Sequence, residues 1–115
     1  MSEAAVRSFI EDSDLIAERE FELVDAVGKT GALHVRIARP VAQADGSWTC
    51  GLHLAEVEDL VNELDGEDSM QALVHALYMA PGLIEQLRKQ GFGVTFFGHE
   101  ELLLPKFVLP GVGGG

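Results

Sequence analysis

Several things are scarce in this chain, and each shortage removes a class of explanation. Cys50 is the only cysteine in 115 residues, so no intramolecular disulfide can form, as expected in a reducing compartment. No apolar run approaches the ~20 residues that a membrane-crossing helix requires. The opening MSEAAVRSFIEDSD turns acidic where a secretory leader needs a basic start and an apolar centre. A cytoplasmic location with no membrane contact is therefore expected. Basic residues are also few. Three lysines and five arginines are scattered among 19 acids, giving a net charge of −11. Nucleic-acid binding depends on cations that neutralise phosphates, so this composition argues against it.

What is present describes a globular domain. A hydrophobic share of 47% is ordinary, and a chain of this length buries roughly two-thirds of its unfolded surface in one domain. The acids form two groups. Eight lie between Glu3 and Asp25, against Arg7 and Arg19; seven lie between Glu56 and Asp68 with no base among them. Such groups keep a surface solvated, and they also suit a basic partner, because complementary charge speeds encounter. The candidate partner surface is Glu56, Glu58, Asp59, Glu63, Asp65 and Glu67.

Residues 1–16 carry only Val6, Phe9 and Ile10 as a possible apolar turn, which predicts a loose segment or a short helix. Residues 17–105 form the domain. In EREFELVDAV, Phe21 and Leu23 alternate with Glu20 and Glu22, the period-two pattern of a half-buried strand. Gly28-Lys29-Thr30-Gly31 supplies a turn. Then Leu33, Val35 and Ile37 alternate with His34, Arg36 and Ala38. A hairpin turn at Asp45-Gly46 places Ile37 opposite Leu54, Arg39 opposite Leu52 and Val41 opposite Cys50, with both apolar faces on one side. EVEDLVNEL fits a helix through Val57, Leu60, Val61 and Leu64, and it fits a strand equally well.

A helix follows. Asp68 and Gln71 have capping-box spacing, and Met70, Leu73, Val74, Leu77 and Tyr78 repeat at helical intervals, extended by Ile84 and Leu87. Arg88 and Lys89 suit the last turn, and Gly91 stops it. Pro81-Gly82 predicts a kink, or two helices meeting near Ala80. Gly93 to Gly98 reads as a final short strand. The apolar, proline-interrupted end, including the tail over residues 106–115, should pack along the domain or cover a second subunit through Leu102 to Leu109.

Reactive groups are present but not assembled. In the expected register His34 and His53 lie roughly 13 Å apart at ~3.3 Å per residue, too far to share a metal ion. His75 has no second ligand one turn away, and His99 precedes Glu100 and Glu101 in a loop. Cys50 falls on the inward face, where a thiol is a small core residue. Ser69 lies at a helix start. No nucleophile elbow, phosphate-binding loop or dinucleotide glycine pattern occurs, and LDGEDS lacks calcium-loop spacing. Gln71 and His75 are one turn apart, and capping with packing accounts for both. No catalytic residue, metal or cofactor is expected.

The arrangement of WTC in a strand, DSMQALVHAL opening a helix, and FGHEELLLP near the end resembles a family of small uncharacterised bacterial proteins, a domain of unknown function. The residues carrying the resemblance are Trp48, Cys50, Asp68, Ser69, Gln71, Ala72, Leu73, Leu104 and Pro105, over roughly residues 18–105. It implies antiparallel strands carrying a helix that opens Asp-Ser-x-Gln-Ala-Leu, and it favours a strand for 59–65. Leu103 stands where the family often has glycine. The resemblance brings no known activity.

The expected fold is α+β: an antiparallel sheet of four or five strands with one long, kinked helix across its apolar face. The expected function is non-catalytic protein interaction, of an immunity or antitoxin kind in its most concrete form. The alternative is a small-molecule binder or minor enzyme with a pocket near Arg39, Trp48 and Tyr78.

Overall fold

A computed structural model describes the chain from Arg7 to Leu104; residues 1–6 and 105–115, with the tail and Leu109, lie outside the described residues. The fold is α+β. Six strands, β1 (Leu15–Val24), β2 (Thr30–Ala38), β3 (Val41–Ala42), β4 (Trp48–Ala55), β5 (Asn62–Gly66) and β6 (Gly93–Thr95), form one antiparallel sheet, and α1 (Ser69–Lys89) lies across it. Across the sheet the order is β5, β4, then β2 with its continuation β3, then β1 and β6. The strand implied for 59–65 by the family resemblance is β5, reached by a turn rather than by a helix.

Both long hairpins close with the same five-residue device. Asp25 N–H donates to Lys29 O at 2.9 Å, and Gln43 N–H donates to Ser47 O at 2.8 Å. In each, the fourth residue is a glycine at φ +90, Gly28 or Gly46, the left-handed position that a bulged three-residue loop needs. The first turn therefore closes earlier than predicted, leaving Thr30 and Gly31 already in β2. The second is one residue longer than a two-residue Asp-Gly turn. A further irregularity at Arg39-Pro40, where proline lacks an N–H, separates β2 from β3.

These two slips correct the predicted register. Val35 lies opposite Leu54 and Ile37 opposite Leu52, while Val41 meets Thr49 rather than Cys50. A shift of one residue turns a side chain to the other face, so Val41 is exposed; a shift of two restores it. The inward set Leu33, Val35, Ile37, Cys50, Leu52 and Leu54 thus survives intact and buried.

The helix packs through its smallest residues. Ala72, Ala76, Ala80, Ile84 and Leu87 are its buried positions, with Leu73, Leu77 and Leu83 beside them. Met70 and Tyr78, predicted as part of the buried stripe, are exposed instead. The stripe is rotated because alanines let the helix approach closely, and Gly66 shows how closely. A Cβ there would stand 2.3 Å from Ala72 N and 2.8 Å from Ala72 Cα. The helix runs unbroken through Pro81 and does not divide near Ala80. Burial of Ala76 and Ala80 before the proline and Ile84 and Leu87 after it holds both halves to one sheet, which offsets the lost backbone bond.

Residues 7–14 pack on the sheet. Ile10 is 1% exposed and packs with Ala38, Val61 and Leu15 on the sheet face opposite the helix. Arg7 O accepts from Val61 N at 2.8 Å, and a 3-10 turn at Asp12–Asp14 leads into β1. Beyond β6, the predicted strand to Gly98 is cut short. Phe97 (φ 50) and Gly98 (φ 79) both adopt left-handed backbone, which reverses the chain.

Substituting Gly66→Ala forces backbone against backbone. We expect a loss of about 2–3 kcal/mol in urea unfolding; a loss below about 0.5 kcal/mol would contradict the close approach.

Candidate interaction surface

The helix start settles what GEDSMQALVHAL is for. Asp68 Oδ1 accepts from Gln71 N at 2.7 Å, while Gln71 Oε1 accepts from Glu67 N at 2.7 Å. This is a reciprocal cap reaching one residue further back than the usual box. His75 Nδ1 lies 2.6 Å from Asp65 O. A carbonyl only accepts, so Nδ1 carries the proton and the ring ties the helix to β5. Both polar residues hold the helix start in place.

The other reactive groups are held as firmly. Cys50 is buried with Sγ 3.2 Å from Ala38 O, and burial pushes its thiol pKa up to about 11. Burial and a raised pKa both favour the neutral thiol at neutral pH. His53 is also buried, and its Nε2 donates to Glu58 O at 2.9 Å, which leaves the Nδ1 lone pair without a partner among the described residues. His34 and His53 are two register steps apart rather than four, closer than predicted, yet their rings bond to different groups. Among the described residues no three His, Cys, Asp or Glu side chains are grouped to hold a metal ion, and no helix is long and apolar enough to cross a membrane.

Arg39, Trp48 and Tyr78 do not form one pocket. Arg39 is exposed and pairs with Asp14 at 3.0 Å. Trp48 packs against the core from β4. Tyr78 instead lines a groove of about 360 Å³ with Pro81, Gly82, Glu85, Arg88, Glu100, Glu101, Leu102 and Leu104. Leu102 belongs to this chain's own core, while Leu103 is exposed.

The proposed acidic residues divide in two. Glu56 binds His34, Glu58 accepts from Asn62 Nδ2 at 2.9 Å, and Glu63 pairs with Arg7 at 2.7 Å. Asp59, Asp65 and Glu67 are exposed and make no ion pair among the described residues. Sequence reasoning passed over a second row. Glu18, Glu20 and Glu22 alternate along β1 on the face away from the helix, and Glu20 stands opposite His34. The signal was already in EREFELV, whose alternation puts all three glutamates on one side.

His34 joins the two acidic groups. Its Nδ1 is 2.7 Å from Glu56 and its Nε2 is 3.5 Å from Glu20, and Glu56 Oε1 also accepts the His34 backbone N–H at 2.9 Å. Glu56 sits at φ 77, a left-handed backbone uncommon for glutamate, and these bonds hold it there. The Glu56 hydrogen bond raises the His34 pKa above its ordinary 6.5, with Glu20 and Glu18 adding to it against partial burial. Because the folded pKa is the higher one, this contribution to stability is complete below the unfolded value and is lost as pH rises through the folded one. Melting temperature should therefore fall over that rise more steeply in the wild type than in His34→Gln. Equal slopes would show that the bridge is not electrostatic.

Comparison with known proteins adds one assignment. A family model matches residues 17–101, while no curated protein and no solved structure matches. The match spans the whole sheet apart from the first residues of β1, together with the helix. On it the chain belongs to the family described as "Domain of unknown function (DUF6968)".

Proposed function

We propose that the protein is a non-catalytic interaction module that takes a basic protein partner on its acidic sheet surface. One observation carries this reading: all five arginines are already engaged within the chain. Arg7 pairs with Glu63, Arg36 with Asp12 and Glu18, Arg39 with Asp14, and Arg88 with Glu85. Arg19 donates to the carbonyls of Leu102 and Leu103. The chain at −11 thus keeps outward acids, Glu20, Asp59, Asp65 and Glu67, with no arginine of its own to balance them. Burial of the thiol and the structural use of the His34, His53 and His75 imidazoles support a binding role over catalysis.

In its most concrete form, the protein masks a basic toxin or nuclease, as immunity proteins and antitoxins do. A bacterial, cytoplasmic setting suits this form. A second reading has a specific feature in its favour. The Tyr78 groove, lined by apolar Leu102 and Leu104, by Glu100 and Glu101, and by Glu85 in its pair with Arg88, suits a small amphiphilic cation.

Affinity capture from the native host at low and high salt tests the first reading. A basic protein should be retained at low salt and lost by at least about tenfold at high salt or in the double variant Glu20→Gln, Asp65→Asn. Retention of no basic protein, or retention indifferent to both changes, would remove the proposal. Saturable stabilisation by an organic cation, abolished by Leu104→Asp, would instead support the groove.

A further inference from the structure

One edge of the sheet is only partly closed. β6 pairs with Glu22, Leu23 and Val24 alone, although β1 begins seven residues earlier at Leu15. The hairpin geometry shows which backbone groups are left over. Asp25 directs both its N–H and its C=O into the turn toward β2. Ladder alternation then points Leu23, Phe21 and Arg19 toward β2, and Val24, Glu22, Glu20 and Glu18 toward the edge. Glu22 and Val24 meet β6; among the described residues nothing pairs with Glu20 and Glu18, and no backbone bond outside the ladders reaches them. The described residues after β6 do not fill the gap, for Arg19 holds the Leu102 and Leu103 carbonyls on the helix side.

A second feature marks the same place. Where β6 stops, Phe96 and His99 exchange backbone bonds of 2.8 and 3.0 Å around Phe97 and Gly98. Two left-handed residues make this a type I′ turn, which favours Asn-Gly and strains a bulky residue at its first position. Phe97 occupies that position and is 79% exposed. With Glu20, Phe21, Glu22 and Phe96 it lines a hollow of about 290 Å³ at the head of the open edge. Glu22 is pinned there by Thr95 Oγ1 and by Gly98 N at 2.9 Å, and these bonds lower its pKa, so it stays ionised.

We propose that the basic partner binds by strand addition: an extended segment pairs with Glu18 and Glu20 of β1, in line with β6, and seats one apolar side chain against Phe97. This rests on the interaction reading above and specifies its mode. Charge selects the occupant. Side chains on the outer face of an added strand would stand beside Glu18 and Glu20, the latter 67% exposed. Lysine or arginine at alternate positions fits them, as cross-strand pairing requires. A second copy of this chain pairing by the same edge would set glutamate against glutamate, so the edge guards against self-association while remaining open to a basic strand.

The probe is a synthetic peptide of about eight residues, alternating lysine and threonine around one leucine, added to the isotope-labelled full chain. Amide exchange at Glu18 and Glu20 should slow on binding, with no change in β5. Glu20→Pro deletes an edge N–H without touching the β2 ladder, and should weaken the peptide about five- to tenfold. Phe97→Asn suits the turn, so it should melt no lower than wild type, yet it should lose about tenfold in affinity. Protection elsewhere, or none, overturns strand addition. So does protection of Glu18 and Glu20 without peptide that grows with protein concentration, which would assign the edge to a second copy. A basic host protein still retained by Glu20→Pro would remove this mode and leave the interaction reading standing.

Discussion

The distance between the helix and the sheet governs the rest of the molecule. Ala72, Ala76 and Ala80 face the sheet, and Gly66 passes under the first of them with no room for a methyl group. A helix this close fills the core with backbone and small side chains, and dispersion at that range is strong because little space is left over. It also turns the larger residues outward. Met70 and Tyr78 are exposed because the alanine line takes the position they would otherwise hold. The cap of Asp68, Gln71 and Glu67 and the His75 bond to Asp65 fix where the helix begins, so its rotation about its own axis is not free.

With the core closed on that side, the opposite face of the sheet carries the polar organisation. Its β4 half is roofed by residues 7–14, which bring Ile10 down as an apolar plug and set Asp12 and Asp14 on Arg36 and Arg39. Its β1 half is left with glutamates. His34 stands at the boundary and ties β1, β2 and the turn after β4 together through Glu20 and Glu56. Because the arginines serve this internal wiring, the surplus of acid is directed outward, which is the feature that the proposed basic partner would meet.

Much of this was legible in the residues. Period-two runs gave the faces of β1, β2 and β4, and Cys50, Leu52 and Leu54 are buried as their alternation requires. The helix cap could be read from Asp68 and Gln71. The register was not read correctly, since a turn one residue longer leaves no composition signal, and Pro40 marks a break at Arg39-Pro40 without saying how far it moves the pairing. Burial on the helix was misread because alanine is weakly hydrophobic: Met70 and Tyr78 score as core, and only the sheet's proximity reverses the order. Ile10 stood out only as part of a possible apolar turn, because its partners, Ala38 and Val61, are remote in sequence. The candidate surface was half legible. The acids between Glu56 and Glu67 stand out as a run, whereas those of β1 are visible only through the alternation in EREFELV.

Native-state hydrogen exchange on the isolated chain tests the account most directly. A helix held this tightly and an edge left this open predict two behaviours in one spectrum. Amides of Leu52, Leu54, Ala76 and Ala80 should exchange only through global unfolding, while along β1 those of Phe21 and Arg19 exchange slowly and those of Glu20 and Glu18 rapidly. Uniform protection along β1, or helix amides that exchange by local opening, would contradict it.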